Sequence, residues 1–252
     1  GFTQVTDESQ VQAEEYVRTR GLSAAEAEEY LEGQAREVLT TVNQYLGVVE
    51  ETVKRHNGTF DKYIGDCVMA FWGAPTPNER HASDCVRAAI DAQRAIYALN
   101  LQRAEENRRR EQENASRRSS GLPPLPKLTL LALGSGINTG VVTVGLMGSH
   151  TGMTNYTAFG REVNLASRLE GISGRSRIVI SESTYRELQR LDPNLAAICE
   201  TLPPVVVKGF RDQLQVYEVC WRRLDESTQS YDTGILAGGA DSPPTDFQTA
   251  GT

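Results

Sequence analysis

The chain has 252 residues, of which 39% are hydrophobic and 23% charged, and its formal net charge is −7. This composition is ordinary for a globular protein with one sizeable core. The acidic balance argues against a protein that binds nucleic acid, in which a basic surface is expected. No apolar run reaches the ~18 residues that indicate a membrane span, and no signal peptide is visible.

The first third of the chain is predicted to consist of helices followed by a hairpin. An Ala- and Glu-rich stretch up to residue 37 is typical of a helix, with a break at Gly21. Apolar residues recur at helical spacing over 39–54, and a turn signal at 56–59 ends that helix. Residues 60–73 (FDKYIGDCVMAFWG) then predict two short strands around a Gly-Asp turn.

The middle of the chain predicts a second amphipathic helix over 82–101. Residues 103–120 are dense in Arg, Glu, Asn and Ser, which favours a solvated helix end or a flexible arm. A Pro-rich linker follows, so that arm and linker together span 103–126. Residues 128–148 predict two apolar strands that are joined by a Gly-rich turn.

The last part of the chain is predicted to alternate between helices and strands. The predicted elements are a helix at 162–172, a buried strand at 177–182, a helix at 183–190 and two strands at 205–207 and 214–219. Residues 223–252 are rich in Ser, Thr, Gly, Pro and Asp and are predicted to form a disordered tail. Helices that lie between antiparallel hairpins indicate an α+β fold.

The four cysteines are too far apart to match a metal-ligand spacing. They are Cys67, Cys85, Cys199 and Cys220. We predict that they are reduced, which is typical of a cytoplasmic protein. Any membrane anchor or regulatory domain would then lie outside this chain.

Three groups of polar residues are candidates for chemistry. Asp66 stands in a Gly-Asp turn, where its carboxylate can reach a metal ion, although such turns are usually structural. Asn164 and Arg168 are four residues apart and share a helix face; they form either a donor array for phosphoryl oxygens or a solvated polar surface. Lys208 precedes Gly209 in a turn, as an exposed charge or as a cation for a phosphate.

The combination of these segments resembles the catalytic domain of class III adenylyl and guanylyl cyclases. The matching segments, in the family's order, are GTFDKYIGDCVMAFWGAP, GINTGVVTVGLMGS, NYTAFGREVNLASRLEGIS and VKGFRDQLQVYEV. The resemblance implies a catalytic domain over 1–222, with a possible inserted helix at 11–36. It also implies a ferredoxin-like antiparallel sheet that is flanked by helices. The context of Thr157 resembles the bacterial subclass that has Thr where mammalian enzymes have Asp.

The resemblance implies a role for each candidate residue. Asp66 matches the second of two metal-binding aspartates, which would hold two Mg²⁺ (or Mn²⁺) ions per site. The ribose 3′-hydroxyl would attack the α-phosphorus in line and release pyrophosphate. Asn164 would orient the ribose, Arg168 would stabilise charge on the α-phosphate, and Lys208 would contact the outer phosphates. The site would form between two wrapped chains of a homodimer with C₂ symmetry.

Lys62 and Thr157 match the family's base-reading pair and favour ATP. Adenine offers an acceptor at N1 and a donor at its 6-amino group, which a Lys donor and a Thr oxygen complement. Guanine inverts this pattern, and guanylyl cyclases of the family typically have Glu in place of Lys62 and Cys or Ser in place of Thr157. An adenylyl cyclase is therefore the leading interpretation. A guanylyl cyclase and a non-catalytic nucleotide-binding or dimerisation module remain the alternatives.

The sequence departs from the family's pattern at its start. Family members usually have a core strand that ends in Asp-Ile-x-Gly-Phe-Thr, and its Asp is the first metal ligand. This chain opens at Gly1-Phe2-Thr3, so we expect that strand and its Asp upstream of Gly1. The alternative is a defective or partner-dependent cyclase. Asp7 and Glu8 lie on the wrong side of the motif to replace it. A polypeptide without that Asp is expected to show negligible Mg²⁺-dependent turnover.

Overall fold

A computed structural model of the protein describes residues 2–120, 122, 125–149, 152, 154–210 and 212–224. The helices are α1 (Phe2–Arg20), α2 (Ala24–Arg55), α3 (His81–Ser119), α4 (Arg161–Ser173), α5 (Glu182–Leu191) and α6 (Pro193–Ala197). The strands are β1 (Thr59–Ile64), β2 (Cys67–Phe71), β3 (Ser135–Ile137), β4 (Thr143–Gly148), β5 (Thr154–Phe159), β6 (Ile178–Ser181), β7 (Cys199–Thr201) and β8 (Val216–Val219). A 3-10 helix, Trp221–Leu224, follows β8; the predicted tail lies outside the described residues from 225 onward.

The strands form three sheets. β1 pairs with β2, β4 pairs with β5, and the third sheet has the order β3-β6-β8-β7. The pairs β4–β5, β6–β8 and β7–β8 are antiparallel, whereas β3 and β6 are parallel. The predicted α+β class, with helices beside antiparallel strands, is confirmed.

The predicted break at Gly21 is confirmed between α1 and α2. Gly21 has a φ of +61°, a left-handed conformation that suits the residue after a helix. A capping box then starts α2, because Ser23 N donates to Glu26 Oε2 at 2.9 Å and Glu26 N donates to Ser23 Oγ at 3.4 Å. The bonds from Ser23 also lower the pKa of Glu26. The predicted helices at 11–36 and 39–54 are therefore redistributed, since α1 ends at Arg20 and α2 runs without interruption from Ala24 to Arg55.

The length of α3 differs from the prediction of an arm and linker at 103–126. The helix continues to Ser119, and the extended segment 125–133 runs back along it. Residues 128–134 were also predicted to form a strand, but in this region only Ser135–Ile137 is one. Both differences have one cause, because side chains of α3 take up backbone hydrogen bonds of this segment.

Two asparagines of α3 each bind one residue of this segment through both of its backbone groups. Asn107 accepts from Leu128 N at 2.6 Å and donates to Leu128 O at 2.8 Å. Asn114 does the same with Leu125, at 2.6 and 2.9 Å. Other α3 side chains donate to carbonyl oxygens of the segment: Gln93 to Leu133, Asn100 to Leu131, Arg103 to Thr129 and Arg110 to Pro126. Amide and guanidinium side chains of α3 thus make hydrogen bonds to the backbone of this segment that a neighbouring strand would otherwise make.

The chain divides into two units. Unit 1 comprises the described residues of 1–51, 62–69 and 94–131, and unit 2 those of 52–61, 70–93 and 132 onward. Unit 1 is centred on a polar contact between α2 and α3. There Tyr45 donates to Asn100, and Arg103, which is 7% exposed, donates to Thr41 Oγ1 at 2.6 Å. Buried donors and acceptors that are paired in this way avoid the cost of desolvation without a partner.

Unit 2 has two apolar clusters on opposite faces of its four-stranded sheet. Successive side chains of a strand point to opposite faces, and β6 shows this directly. Ile178 and Ile180 pack into one cluster, with Leu188 of α5, while Val179 packs into the other, with Leu169 of α4. Because all these side chains are at most 1% exposed, the sheet is covered by helices on both sides and holds α4 firmly.

The contact between β3 and α4 gives a stability prediction. A Cβ on Gly136 would lie 2.0 Å from Glu170 N and 2.5 Å from Ala166 O, whereas a Cβ on Gly171 would meet nothing within 4 Å. Because the neighbours of Gly136 are backbone atoms, Gly136→Ala should destabilise the fold by about 3 kcal/mol or more. Gly171→Ala should instead stabilise it by about 0.5–1 kcal/mol. Denaturant midpoints of the two variants check this; equal midpoints would contradict it.

Candidate active site

The hairpin β1–β2 carries Lys62 and Asp66. Both strands form where the sequence predicts them, and Gly65 supplies the turn with a φ of +59°. Lys62 is half-buried in β1, and Asp66 is half-buried in the turn, where the Cys67 thiol lies 3.8 Å from its Oδ1. Both candidate residues belong to unit 1.

Thr157 lies on β5, where its side chain is buried and hydrogen-bonded. It is 2% exposed, and its hydroxyl donates to Asp61 Oδ2 at 2.6 Å. The backbone N–H of Ala158 donates to the same oxygen at 3.2 Å. Asp61, which immediately precedes Lys62, was not singled out from the sequence. The contact joins residues 96 positions apart, which no local pattern reveals.

Helix α4 holds Asn164 and Arg168, and the sequence prediction of a shared face agrees with the structure. Both side chains are exposed, while Leu165 and Leu169 between and beside them are buried. The helix begins after Gly160, whose φ of +136° suits glycine. Asn164 and Arg168 therefore lie one turn apart on the exposed face of α4, and the opposite face of the helix packs in the core.

Lys208 is exposed in a turn beside the start of α4. Phe210 N donates to Val207 O at 3.1 Å across that turn, and Gly209 within it has a φ of +90°. The Arg161 guanidinium lies 4.6 Å from the centroid of the Phe210 ring, which attaches the turn to the first residue of α4. The turn that holds Lys208 thus lies beside the start of the helix that holds Asn164 and Arg168, and helix starts attract anions.

The carboxylates available for a metal ion are few. Among the described residues, no group of three or more His, Cys, Asp or Glu side chains could hold an ion. Mg²⁺ in nucleotide enzymes needs only one or two carboxylates, because substrate phosphates and water complete its coordination. Asp66 fits as one such carboxylate. In the described residues 2–58, which precede the hairpin, there is no strand that could supply a second from a sheet.

The four cysteines are unbridged, in agreement with the prediction of reduced thiols. Desolvation raises the pKa of Cys85 and of Cys199 to about 12, so both thiols stay protonated at neutral pH. Among the residues that the structure describes, none of the helices combines the length and the apolar composition of a membrane span.

Comparison with known families identifies the domain. Residues 22–220 match the family model of the adenylate and guanylate cyclase catalytic domain. This range covers most of the chain, so the protein belongs to that family. The resemblance inferred from the four sequence segments is confirmed, and with it the predicted ferredoxin-like cyclase fold. Enzymes of this family bind nucleotides, generally depend on metal ions and commonly function as dimers.

Two relatives of the chain are adenylate cyclases. Adenylate cyclase 1 of Rhizobium meliloti (strain 1021) is 34% identical over 137 residues, which is 54% of this chain and 17% of that protein. An adenylate cyclase of Anabaena cylindrica is 30% identical over 186 residues, which is 73% of this chain and 32% of that protein. The chain therefore spans less than a third of the length of these relatives.

Two solved structures show the same fold. The adenylyl cyclase CyaB from P. aeruginosa has a TM-score of 0.58 and 30% identity, over 87% of this chain and 88% of that chain. The guanylyl cyclase Cya2 has a TM-score of 0.52 and 28% identity, over 73% and 81% of the two chains. Because the chain is similar to enzymes of both kinds, this similarity does not distinguish ATP from GTP as the substrate. The distinction depends on the residues that would contact the base.

Proposed function

We propose that this domain is an adenylyl cyclase, which converts ATP to 3′,5′-cyclic AMP and pyrophosphate. The observation that carries the proposal is the exposed pair Asn164 and Arg168 on α4, with Lys208 in the adjoining turn. These three side chains offer donors of the kinds that ribose hydroxyls and phosphoryl oxygens accept. In the proposal Asn164 orients the ribose, Arg168 binds the α-phosphate, and Lys208 binds the outer phosphates.

Arg168 has the role with the largest energetic consequence. Attack of the 3′-oxygen on the α-phosphorus places extra negative charge on the phosphoryl oxygens, and a fixed guanidinium stabilises that charge. The rigid attachment of α4 through buried Leu165 and Leu169 holds the start of the Arg168 side chain in place. Asp66 would hold metal ions, two per site (Mg²⁺ or Mn²⁺), which supply charge stabilisation at the attacking and leaving oxygens when bound.

The proposed site is shared between two copies of the chain. In this arrangement each site combines Asp66 of one protomer with five residues of the other. Those residues are Lys62, Thr157, Asn164, Arg168 and Lys208. Support comes from the β4–β5 hairpin, which exposes large apolar side chains: Leu146 is 74%, Met147 50% and Phe159 45% exposed. Exposed apolar side chains on a hairpin favour a protein–protein contact, and a second copy with C₂ symmetry is the simplest partner.

The preference for ATP over GTP is a prediction of its own. Lys62 donates to adenine N1 and Thr157 accepts from the 6-amino group in the proposal, a pattern that guanine inverts. The full-length protein should therefore have a higher kcat/KM for ATP than for GTP. Lys62→Glu should lower this ratio by about tenfold or more, because a carboxylate accepts where a donor is needed.

The measurement is the rate of cyclic nucleotide formation from each triphosphate, with Lys54→Glu on the exposed end of α2 as the matched control. A higher kcat/KM for GTP in the unmodified protein would favour a guanylyl cyclase, the alternative that similarity to Cya2 supports. If Lys62→Glu left the ratio of the two kcat/KM values unchanged, the proposed role of Lys62 in base recognition would be wrong.

A further inference from the structure

Asp61 makes the contact that most directly concerns the choice of base. Its Oδ2 accepts one hydrogen bond from the Thr157 hydroxyl at 2.6 Å and another from Ala158 N at 3.2 Å. All three residues belong to unit 2. The contact joins β1 to β5 and involves the one side chain of β5 that matches a base-reading residue.

The chemistry of this pair fixes the direction of the hydrogen bond. A carboxylate only accepts, so the proton between the two side chains belongs to the hydroxyl. A threonine hydroxyl has one proton, and once that proton is directed at Asp61 only lone pairs remain for any other partner. Towards a nucleobase, Thr157 then acts as an acceptor and not as a donor.

Burial strengthens this constraint. Thr157 is 2% exposed, so bulk water hardly competes for its proton. The carbonyl of Ala158 is the other nearby acceptor, at 3.4 Å, and a neutral acceptor at that distance is weaker than a carboxylate at 2.6 Å. The bond from Ala158 N holds the Asp61 carboxylate in turn. For a base to meet Thr157, the groups that bury it must move aside, and the inference requires that the bond to Asp61 is kept as they do.

We propose that Asp61 is a specificity-determining positioning residue, which holds Thr157 as a hydrogen-bond acceptor. In that state Thr157 accepts from the 6-amino group of an adenine nucleotide and repels O6 of a guanine nucleotide, whose lone pairs would face its own. This inference rests on the proposed function, in which Thr157 meets the base. It explains how a side chain that can both donate and accept discriminates between two purines.

The test compares binding of ATP and GTP to the full-length protein, by competition with a fluorescent ATP analogue. Asp61→Ala removes the acceptor and frees the hydroxyl proton, so the ratio of Kd(GTP) to Kd(ATP) should fall by about tenfold. Asp61→Asn keeps an amide oxygen for both donors and should retain most of the ratio. A loss of structure alone would weaken both nucleotides alike and would lower Tm without changing the ratio.

Two Thr157 variants make the test independent of how well Asp61→Ala folds. Thr157→Ser keeps a hydroxyl, so the ratio of Kd(GTP) to Kd(ATP) should be retained. Thr157→Val removes the hydroxyl, so this ratio should fall. Because Asp61 acts through Thr157, adding Asp61→Ala to Thr157→Val should change the ratio no further.

The outcomes separate this inference from the proposed function. Unmodified protein that does not bind ATP more tightly than GTP overturns the proposed base preference, and the inference with it. A clear ATP preference that Asp61→Ala leaves intact, or that falls again when Asp61→Ala is added to Thr157→Val, overturns the inference alone.

Discussion

In the full-length protein, Arg168→Ala is expected to lower kcat for cyclic AMP formation by about 10²–10³-fold, because it removes one donor that stabilises charge in the transition state. The KM for ATP should change far less, since Lys208 and Asn164 would still bind the ground state. Arg168 is exposed on α4, and its neighbours Leu165 and Leu169 carry the packing of the helix. Tm should therefore stay close to that of the unmodified protein.

The matched control is Arg186→Ala. Arg186 is also exposed on a helix, where it pairs with Glu182 at 2.7 Å, and such surface pairs contribute about 0–1 kcal/mol. Its turnover should be unchanged. Initial rates at saturating ATP and Mg²⁺ measure both variants. An Arg168→Ala variant that is as active as Arg186→Ala would reject the assigned role and favour a non-catalytic nucleotide-binding or dimerisation module.

Elements defined by neighbouring residues were predictable from the sequence. Gly21 marks a helix break because glycine readily adopts the positive φ found there. The hairpin around Gly65 and Asp66 follows from a turn signal between two short apolar runs. The exposed pair on α4 follows from a spacing of four residues on a helix.

Features that depend on distant residues were not predictable in this way. The Arg- and Asn-rich end of α3 has the composition of a solvated arm, but Asn107 and Asn114 are bound to the backbone of a segment that follows later in the chain. Asp61 has the same character, since its partner Thr157 is 96 residues away. A polar side chain that pairs across the fold carries no periodic signal, so composition alone predicts a surface position for it.

Asp66→Asn is expected to lower Mg²⁺-dependent turnover by about 10²–10³-fold. The substitution keeps the size of the side chain but removes the charge, and a metal contribution of several kcal/mol to the barrier corresponds to a loss of this order. The residual activity should need a higher Mg²⁺ or Mn²⁺ concentration for half-maximal rate. Asp212→Asn, at an exposed position, is the control and should be fully active. Unchanged Mg²⁺ dependence in Asp66→Asn would contradict the role of Asp66.

Mixing the Asp66→Asn and Arg168→Ala proteins gives a sharper result, because the two residues are proposed to act in one site from different protomers. In a mixed dimer, one site receives both substitutions and the other receives neither. Random exchange of subunits makes half of the dimers mixed, so the mixture should regain about a quarter of the activity of the unmodified protein. If both residues of a site came from the same chain, every site would keep one defect. The mixture would then stay as inactive as its components, and the shared-site homodimer would be wrong even if each single substitution abolished turnover.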